Sequence, residues 1–514
     1  MKKSSVSQDS TNDYSDEDSN LSEEEEEDEK DYKRGGYHPV LIGDRLSDGR
    51  YLIVRKLGWG HFSTVWLAKD MKLDRHVALK IVKSASHYTE SALEEIKILE
   101  RVKAADLDAP GREYIAQLLD HFWLVGPNGK HMCMAFEVLG QSLLSVIKRY
   151  RYKGIPAHIV RRIAKQVLQG LDYLHRECGI IHTDLKPENV LVCIPDVEQL
   201  IREDDQVMAL ERKVEDEIKQ KQLKEEEEQK EKATKHDGEE KEKENEKEEA
   251  PKTPETPETP AAKDTFDSKD SGETATENIE TMSKSRKKRL KKKMKKAATK
   301  DVPVETPTSV LEAETETLRL ECPVIPTAAL DFSKENSPDG ESTQAFDQIT
   351  VKIADFGNAC WTKGDYTHII QTRQYRSPEV IVGAKWTERA DMWSMACLVF
   401  ELLTGDYLFD PRSGKKYDKD DDHLGQMMEL MRVVPKSITT EGEYSSEFFT
   451  RKGELRRIKK LRYRRLRDVL HDSFQVEPLE ADRISDFLSP MLEVDKNKRA
   501  DAQKMLKSPW LIEP

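Results

Sequence analysis

The sequence has little apolar material for its length. Of 514 residues, 36% are hydrophobic, 7% aromatic and 35% charged. A chain this dilute cannot bury a core throughout, because its charged tracts have no apolar burial to offset their ordering entropy. No apolar run is long enough to cross a membrane, so no membrane partner is expected. The N-terminus starts polar and turns acidic, unlike a signal peptide. Cysteine is sparse: Cys133, Cys178, Cys193, Cys322, Cys360 and Cys397 make no CxxC pair and no zinc spacing. That excludes a zinc module or disulfide framework and reads as reduced thiols of an intracellular protein.

What remains is unevenly charged. The net charge is −14, yet residues 45–197 and 346–514 together sum to about +6. The acidity therefore sits in the tail and the middle, and it says little about an active site. Residues 1–34 are rich in Ser, Asp and Glu and read as a disordered acidic tail, with Ser15 and Ser22 placed as targets of an acid-directed kinase. Residues 198–345 read as a low-complexity spacer. Its Glu- and Lys-dense part, Leu200 to Glu249, lacks sustained apolar periodicity, which leaves a solvated helix and disorder both open. Thr253-Pro254, Thr256-Pro257 and Thr259-Pro260 form a short extended run. The basic run Lys284 to Lys296 suits a nuclear import receptor or chaperone, or an acidic partner; a merely solvated stretch weighs equally. Deletion of 203–345 is expected to move the nuclear fraction, in a protein shuttling between cytoplasm and nucleus.

The spacer divides two segments with regular patterning, 35–197 and 346–514. Strands are expected over Tyr51 to Leu57, Thr64 to Lys69, His76 to Val82, Ala116 to Val125 and His131 to Glu137. A helix is expected over Tyr88 to Lys103, burying Leu93, Ile96, Leu99 and Val102. Between the first two strands, Leu57-Gly58-Trp59-Gly60-His61-Phe62-Ser63-Thr64-Val65 is a glycine hairpin whose backbone amides can approach phosphates. Lys80, in Val77-Ala78-Leu79-Lys80, follows at the distance of a phosphate ligand. Glu94 and Glu95 both lie on the next helix. Spacing does not separate them as partners of Lys80, and the neighbours Ile96 and Leu99 favour Glu95. Phe136 precedes Glu137-Val138-Leu139-Gly140, a segment able to bond a purine through its backbone.

Chemistry concentrates in His182-Thr183-Asp184-Leu185-Lys186-Pro187-Glu188-Asn189. Asp184 can accept a proton from an attacking hydroxyl, Lys186 can neutralise a moving phosphoryl group, and Asn189 can hold Mg²⁺. After a strand at Ile349 to Ile353 comes Asp355-Phe356-Gly357, with Asp355 as the second Mg²⁺ ligand. The segment Gly357 to Glu379 follows. Thr183 stands where an Arg would collect an activating phosphate, so constitutive activity is expected, with Arg373 and Arg376 holding that segment. Arg499 is the expected ion-pair partner of Glu379.

These motifs, in this order, resemble those of eukaryotic protein kinases. With Lys80, Asp184, Asn189 and Asp355 all present, a non-catalytic scaffold is disfavoured. Longer runs are similar to the SR-protein kinase family: Tyr37-His38-Pro39-Val40, Lys56 to Trp66, His182-Thr183-Asp184, Asp355 to Trp361 and Gln371 to Ser377. The resemblance covers about 35–197 and 346–512. It implies an α+β fold of two lobes, a β-rich N-lobe and an α-helical C-lobe, interrupted by a long disordered insertion. It implies ATP and Mg²⁺ as cofactors and serines of Arg-Ser-rich splicing factors as substrates. A monomer without direct nucleic-acid binding is expected. An acidic docking groove is implied at Asp406, in Asp422 within a loop, and at Glu429 on a helix Leu424 to Met431. Ser473 stands where the family has a basic residue, and Arg451 to Arg467 is unusually positive beside such a groove.

Overall fold

Alternation of apolar and polar residues from Tyr51 onward builds one antiparallel sheet. The computed structural model describes residues 27–204, 348–364 and 369–512. The tail up to residue 26, the Thr-Pro run and the basic run Lys284 to Lys296 lie outside the described residues. The strands are β1 (Arg45–Leu46), β2 (Tyr51–Gly60), β3 (Ser63–Asp70), β4 (Arg75–Val82), β5 (Leu118–Gly126) and β6 (Gly129–Phe136), in a 6-stranded sheet of order β1-β2-β3-β4-β6-β5. The β2–β3 hairpin turns at His61-Phe62, with Gly60 opposite Ser63. Register shifts between Ile53 and Arg55 and between Lys56 and Gly58 bend β2 at the glycine loop.

Helix α1 (Ser86–Ala104) packs on this sheet through Ala92, Ile96, Ile98, Leu99 and Val102. Three of the four expected positions, Ile96, Leu99 and Val102, are buried. Leu93 is exposed, and Ala92 takes the inward place one residue earlier.

The large lobe is helical. Helix α2 (Leu143–Arg149) and helix α3 (Ala157–Asp172) precede the catalytic loop. The helix Arg389–Thr404 is buried on nearly every side, as its run of apolar residues requires. Two small sheets carry the site, β7 (Ile180–Ile181) with β10 (Cys360–Trp361) and β8 (Val190–Val192) with β9 (Val351–Ile353). The chain leaves β8 into the spacer and returns on β9, its hydrogen-bonded neighbour. Closing such a loop costs only logarithmically with its length, so the sheet tolerates the insertion.

Two segment boundaries differ from the sequence reading. The spacer does not begin at 198. Residues 197–204 are helical and lie on the small lobe. Ile201 is buried with Leu57, Leu67 and Val138, Glu198 accepts from the His76 N–H at 2.6 Å, and Asp204 pairs with Arg55 at 3.1 Å. The acidic tail likewise ends before 34. Glu27 is buried against Lys56 and Tyr32, and Asp31 accepts from Lys83 at 2.8 Å. Tyr37 donates to the Gly60 carbonyl at 2.7 Å, tying this strap to the glycine loop. In both places acidic residues that looked solvated find partners on the sheet.

Candidate active site

The catalytic loop is pinned from below by Asp391, the first acid of the helix Arg389–Thr404. Its carboxylate accepts from the N–H of His182 at 2.8 Å and of Thr183 at 2.9 Å. Burial opposes charge on Asp391, but bonding from His175 outweighs it and holds the pKa below the usual carboxylate range. Thr183 sits at φ 68°, a strained conformation that these two bonds sustain. Above them, Asp184 Oδ2 accepts from Lys186 Nζ at 2.8 Å. Thr372 Oγ1 donates to Asp184 Oδ1 at 2.7 Å and accepts from Lys186 Nζ at 3.0 Å. Burial raises the Asp184 pKa, yet the Lys186 charge and these bonds outweigh it, so the carboxylate stays ionised and able to accept a proton. Thr372 was not singled out in the sequence. It ties the segment 369–379 to Asp184, and only its place in the run Gln371 to Ser377 hinted at it.

Strand register brings the phosphate-facing residues together. Gly58 lies opposite Val65, and Val65 opposite Lys80. Lys80 Nζ donates to both Glu95 oxygens at 2.9 Å and lies 3.8 Å from Asp355 Oδ1. Glu94 turns outward to Lys97. Burial works against the Lys80 ammonium, but Glu95 and Asp355 hold its pKa above the usual value. Asn189 donates its Nδ2 to the Asp184 carbonyl at 2.8 Å, while its Oδ1 is buried with no hydrogen-bond partner among the described residues. A buried acceptor without a donor is a place for a cation. With the Asp355 carboxylate it gives two oxygen ligands, and Mg²⁺ typically takes one or two protein carboxylates together with substrate phosphates and water. The residues therefore fit the ion.

The hinge continues from β6. Glu137 turns its side chain away to Lys352 at 2.7 Å, and its N–H donates to the Gln117 carbonyl at 3.3 Å. The N–H of Gly140 donates to the Val192 carbonyl at 2.7 Å and fixes the hinge to the large lobe.

The remaining named residues lie on the large lobe. Arg376 donates to the Gln371 carbonyl at 3.0 Å, and Arg373 pairs with Asp420. Asp422 is not in a loop: it lies in the first turn of the helix Lys419–Met431, with Asp418 as its capping residue. Glu429 is two turns further along the same helix. Both carboxylates are partly engaged. Asp422 accepts from the Arg412 N–H at 2.9 Å, and Glu429 from the Arg462 N–H at 2.7 Å. Asp406 is exposed just past the helix Arg389–Thr404. The Arg412 guanidinium beside it bonds Asp410 at 2.6 Å. Arg499 donates to Glu379 at 2.7 and 2.8 Å, and both side chains are buried.

A base on a loop, a paired lysine on a sheet and two metal ligands between two lobes define a protein kinase. The protein kinase domain family matches residues 51–202 and 342–511. The chain is 44% identical over 504 residues to Protein kinase dsk1 of Schizosaccharomyces pombe, covering 95% of this chain and 85% of that one. It is 40% identical over 517 residues to SRSF protein kinase 3 of Homo sapiens, covering 95% and 91%. It is 37% identical over 584 residues to Serine/threonine-protein kinase SKY1 of Saccharomyces cerevisiae, covering 96% and 78%. The chain belongs to the SR-protein kinase family and is a serine/threonine protein kinase.

Proposed function

We propose that this kinase transfers the γ-phosphoryl group of ATP to serines in Arg-Ser-rich splicing factors. The observation that carries the substrate class is the 40% identity to SRSF protein kinase 3, and two acids beside the catalytic loop, Glu401 buried and Glu188 half-buried, accord with it. Burial pushes the Glu401 carboxyl up to about 8, and Glu188 and Asp406 add to the shift. One oxygen of Glu188 is buried without a partner among the described residues. Glu401 is satisfied as a neutral acid by Tyr375, so Glu188, with its open oxygen, is the carboxylate left for an arginine next to the target serine.

Asp184 orients the serine hydroxyl and accepts its proton. Lys186 neutralises charge on the transferred group, and Lys80, set by Glu95, holds the nucleotide phosphates. The adenine sits between Leu57, Val65 and the main chain of Glu137 and Leu139, under the loop of Gly58 and Gly60. Asn189 and Asp355 hold Mg²⁺, which when bound offsets phosphate charge. Asp406, Asp422 and Glu429 dock the arginine-rich chain, each through a bidentate fork. Arg373 and Arg376 keep the activation segment in place without a phosphate.

The protein acts as a monomer and moves between cytoplasm and nucleus, with an import receptor or chaperone engaging the spacer. Deletion of 205–345, two residues shorter than 203–345 because Asp204 pairs with Arg55, shifts the nuclear fraction and spares peptide phosphorylation.

The docking reading is tested by changing Asp406, Asp422 and Glu429 together to Ala. Exposed contacts are worth about 0.2–1 kcal/mol each, so the triple variant is the informative one. The ratio of long- to short-peptide kcat/KM falls, most steeply at low salt. An unchanged ratio removes the docking role from this reading.

A further inference from the structure

The cationic side chains of the run Arg451 to Arg467 have no role in the site above, which the run touches only through its backbone at Glu429. Glu454 is the run's only carboxylate. The run is anchored. Leu455 is buried, and Leu461 packs against the large-lobe core. Arg457 donates to Asp421 at 2.6 Å. The N–H of Arg462 reaches Glu429 Oε1 at 2.7 Å, and the N–H of Arg464 reaches the Glu429 carbonyl at 3.0 Å. Two N–H groups two residues apart on one side are the mark of extended chain. The backbone is thus fixed along the helix Lys419–Met431, while Arg451, Lys452, Lys460, Arg462 and Arg465 stay exposed. None of these side chains has an ion pair among the described residues.

The neighbourhood limits the partner. The first turn of the adjoining helix carries the half-buried Asp422 and, paired with Arg373, Asp420, with the exposed Asp418 as its cap, while Asp421 is buried against Arg457. A uniform polyanion such as RNA gains from the strip and is repelled by that turn. A chain alternating arginine with phosphoserine suits both surfaces. Each phosphate carries a charge of about −1.5 to −2, and arginine forks fit carboxylates.

We infer that this strip, with Lys460 and Arg462 at its centre, is a docking surface for the phosphorylated Arg-Ser chain that the reaction produces. It holds product phosphates while unmodified repeats remain on the acidic side. The inference rests on the substrate class proposed above.

The test measures binding to the full-length kinase by fluorescence anisotropy. The probes are an Arg-phosphoserine repeat peptide, its unmodified counterpart, polyglutamate and single-stranded RNA. In the double variant Lys460→Gln, Arg462→Gln, affinity for the phosphorylated peptide falls by about fivefold or more. Affinity for the unmodified peptide stays within about twofold. Unchanged phosphopeptide affinity overturns the inference, and so does an equal loss for RNA or polyglutamate, which makes the strip a general anion surface. If wild-type kinase binds the phosphopeptide through the strip yet does not phosphorylate Arg-Ser peptide, the substrate reading fails while the surface stands.

Discussion

Thr183 donates its hydroxyl to the Asn358 carbonyl at 2.7 Å, so the catalytic loop is bonded straight to the start of the activation segment. In a phosphorylation-dependent kinase an arginine at this place gathers the segment through a phosphate. Here a neutral hydrogen bond does so, together with Thr372 on Asp184 and Arg376 on Gln371. Kinase made in bacteria and treated with phosphatase is expected to keep its activity toward an Arg-Ser peptide within about twofold of the untreated protein, since no charged contact is lost. A tenfold or larger drop shows that a phosphate, and not Thr183, orders the segment.

Asp184→Asn keeps the shape of the loop and removes the proton acceptor. A positioned general base contributes about 10²–10⁴-fold, and a loss in kcat of that size is expected with little change in KM for ATP. Thr372→Val, which keeps the side-chain volume, is expected to lower kcat without unfolding the lobe. Wild-type turnover in Asp184→Asn assigns the base elsewhere.

The boundary at residue 204 has a direct consequence. Replacing 205–347 with a flexible linker leaves helix 197–204 on the sheet, so thermal stability and peptide activity stay near wild type. Removing 198–345 exposes Leu57 and Val138, which pack against Ile201, and frees His76 and Arg55 of their acids. Burying a side chain the size of Ile is worth about 1.5–3 kcal/mol, so the larger deletion lowers Tm by several degrees. Equal Tm values for the two deletions deny the helix a structural role.

Part of the site is legible in the sequence alone. The glycine loop, Lys80, the catalytic loop and Asp355 show themselves because phosphate chemistry fixes residue types at fixed spacings. The two-lobed fold follows from the same motifs. Helix 197–204 did not show itself, because a short helix anchored only by Val197 and Ile201 looks like its charged continuation. The misplaced Leu93 has a related cause: α1 meets the sheet on one flank and the large lobe on the other, and periodicity does not say which flank is tighter. Thr372, Asp391 and Glu401 gain their roles only when distant segments meet at Asp184 and Glu188. Asp391 reads in sequence as nothing more than the start of a buried helix.

Glu401 makes stability depend on pH. Its carboxyl is pushed up to about 8 from an ordinary 4.5. Between those values the folded protein holds a proton that the unfolded chain has lost, so stability falls as pH rises through this window. Glu401→Gln keeps the bond to Tyr375 and carries no proton to lose. Its Tm advantage over wild type is expected to grow by about 2 °C or more between pH 5 and pH 9. A constant difference across that range means that Glu401 is ionised throughout.

The central claim is an active kinase that selects serines through neighbouring arginines. It is tested most directly by kcat/KM for an Arg-Ser repeat peptide against the matched Lys-Ser peptide, with purified full-length protein, ATP and Mg²⁺. Both peptides carry the same charge, but only arginine forms a planar fork with Glu188 and the docking carboxylates. The account predicts transfer to serine with a preference for the Arg-Ser peptide of about tenfold or more. Equal values for the two peptides, or no transfer to either, contradict it.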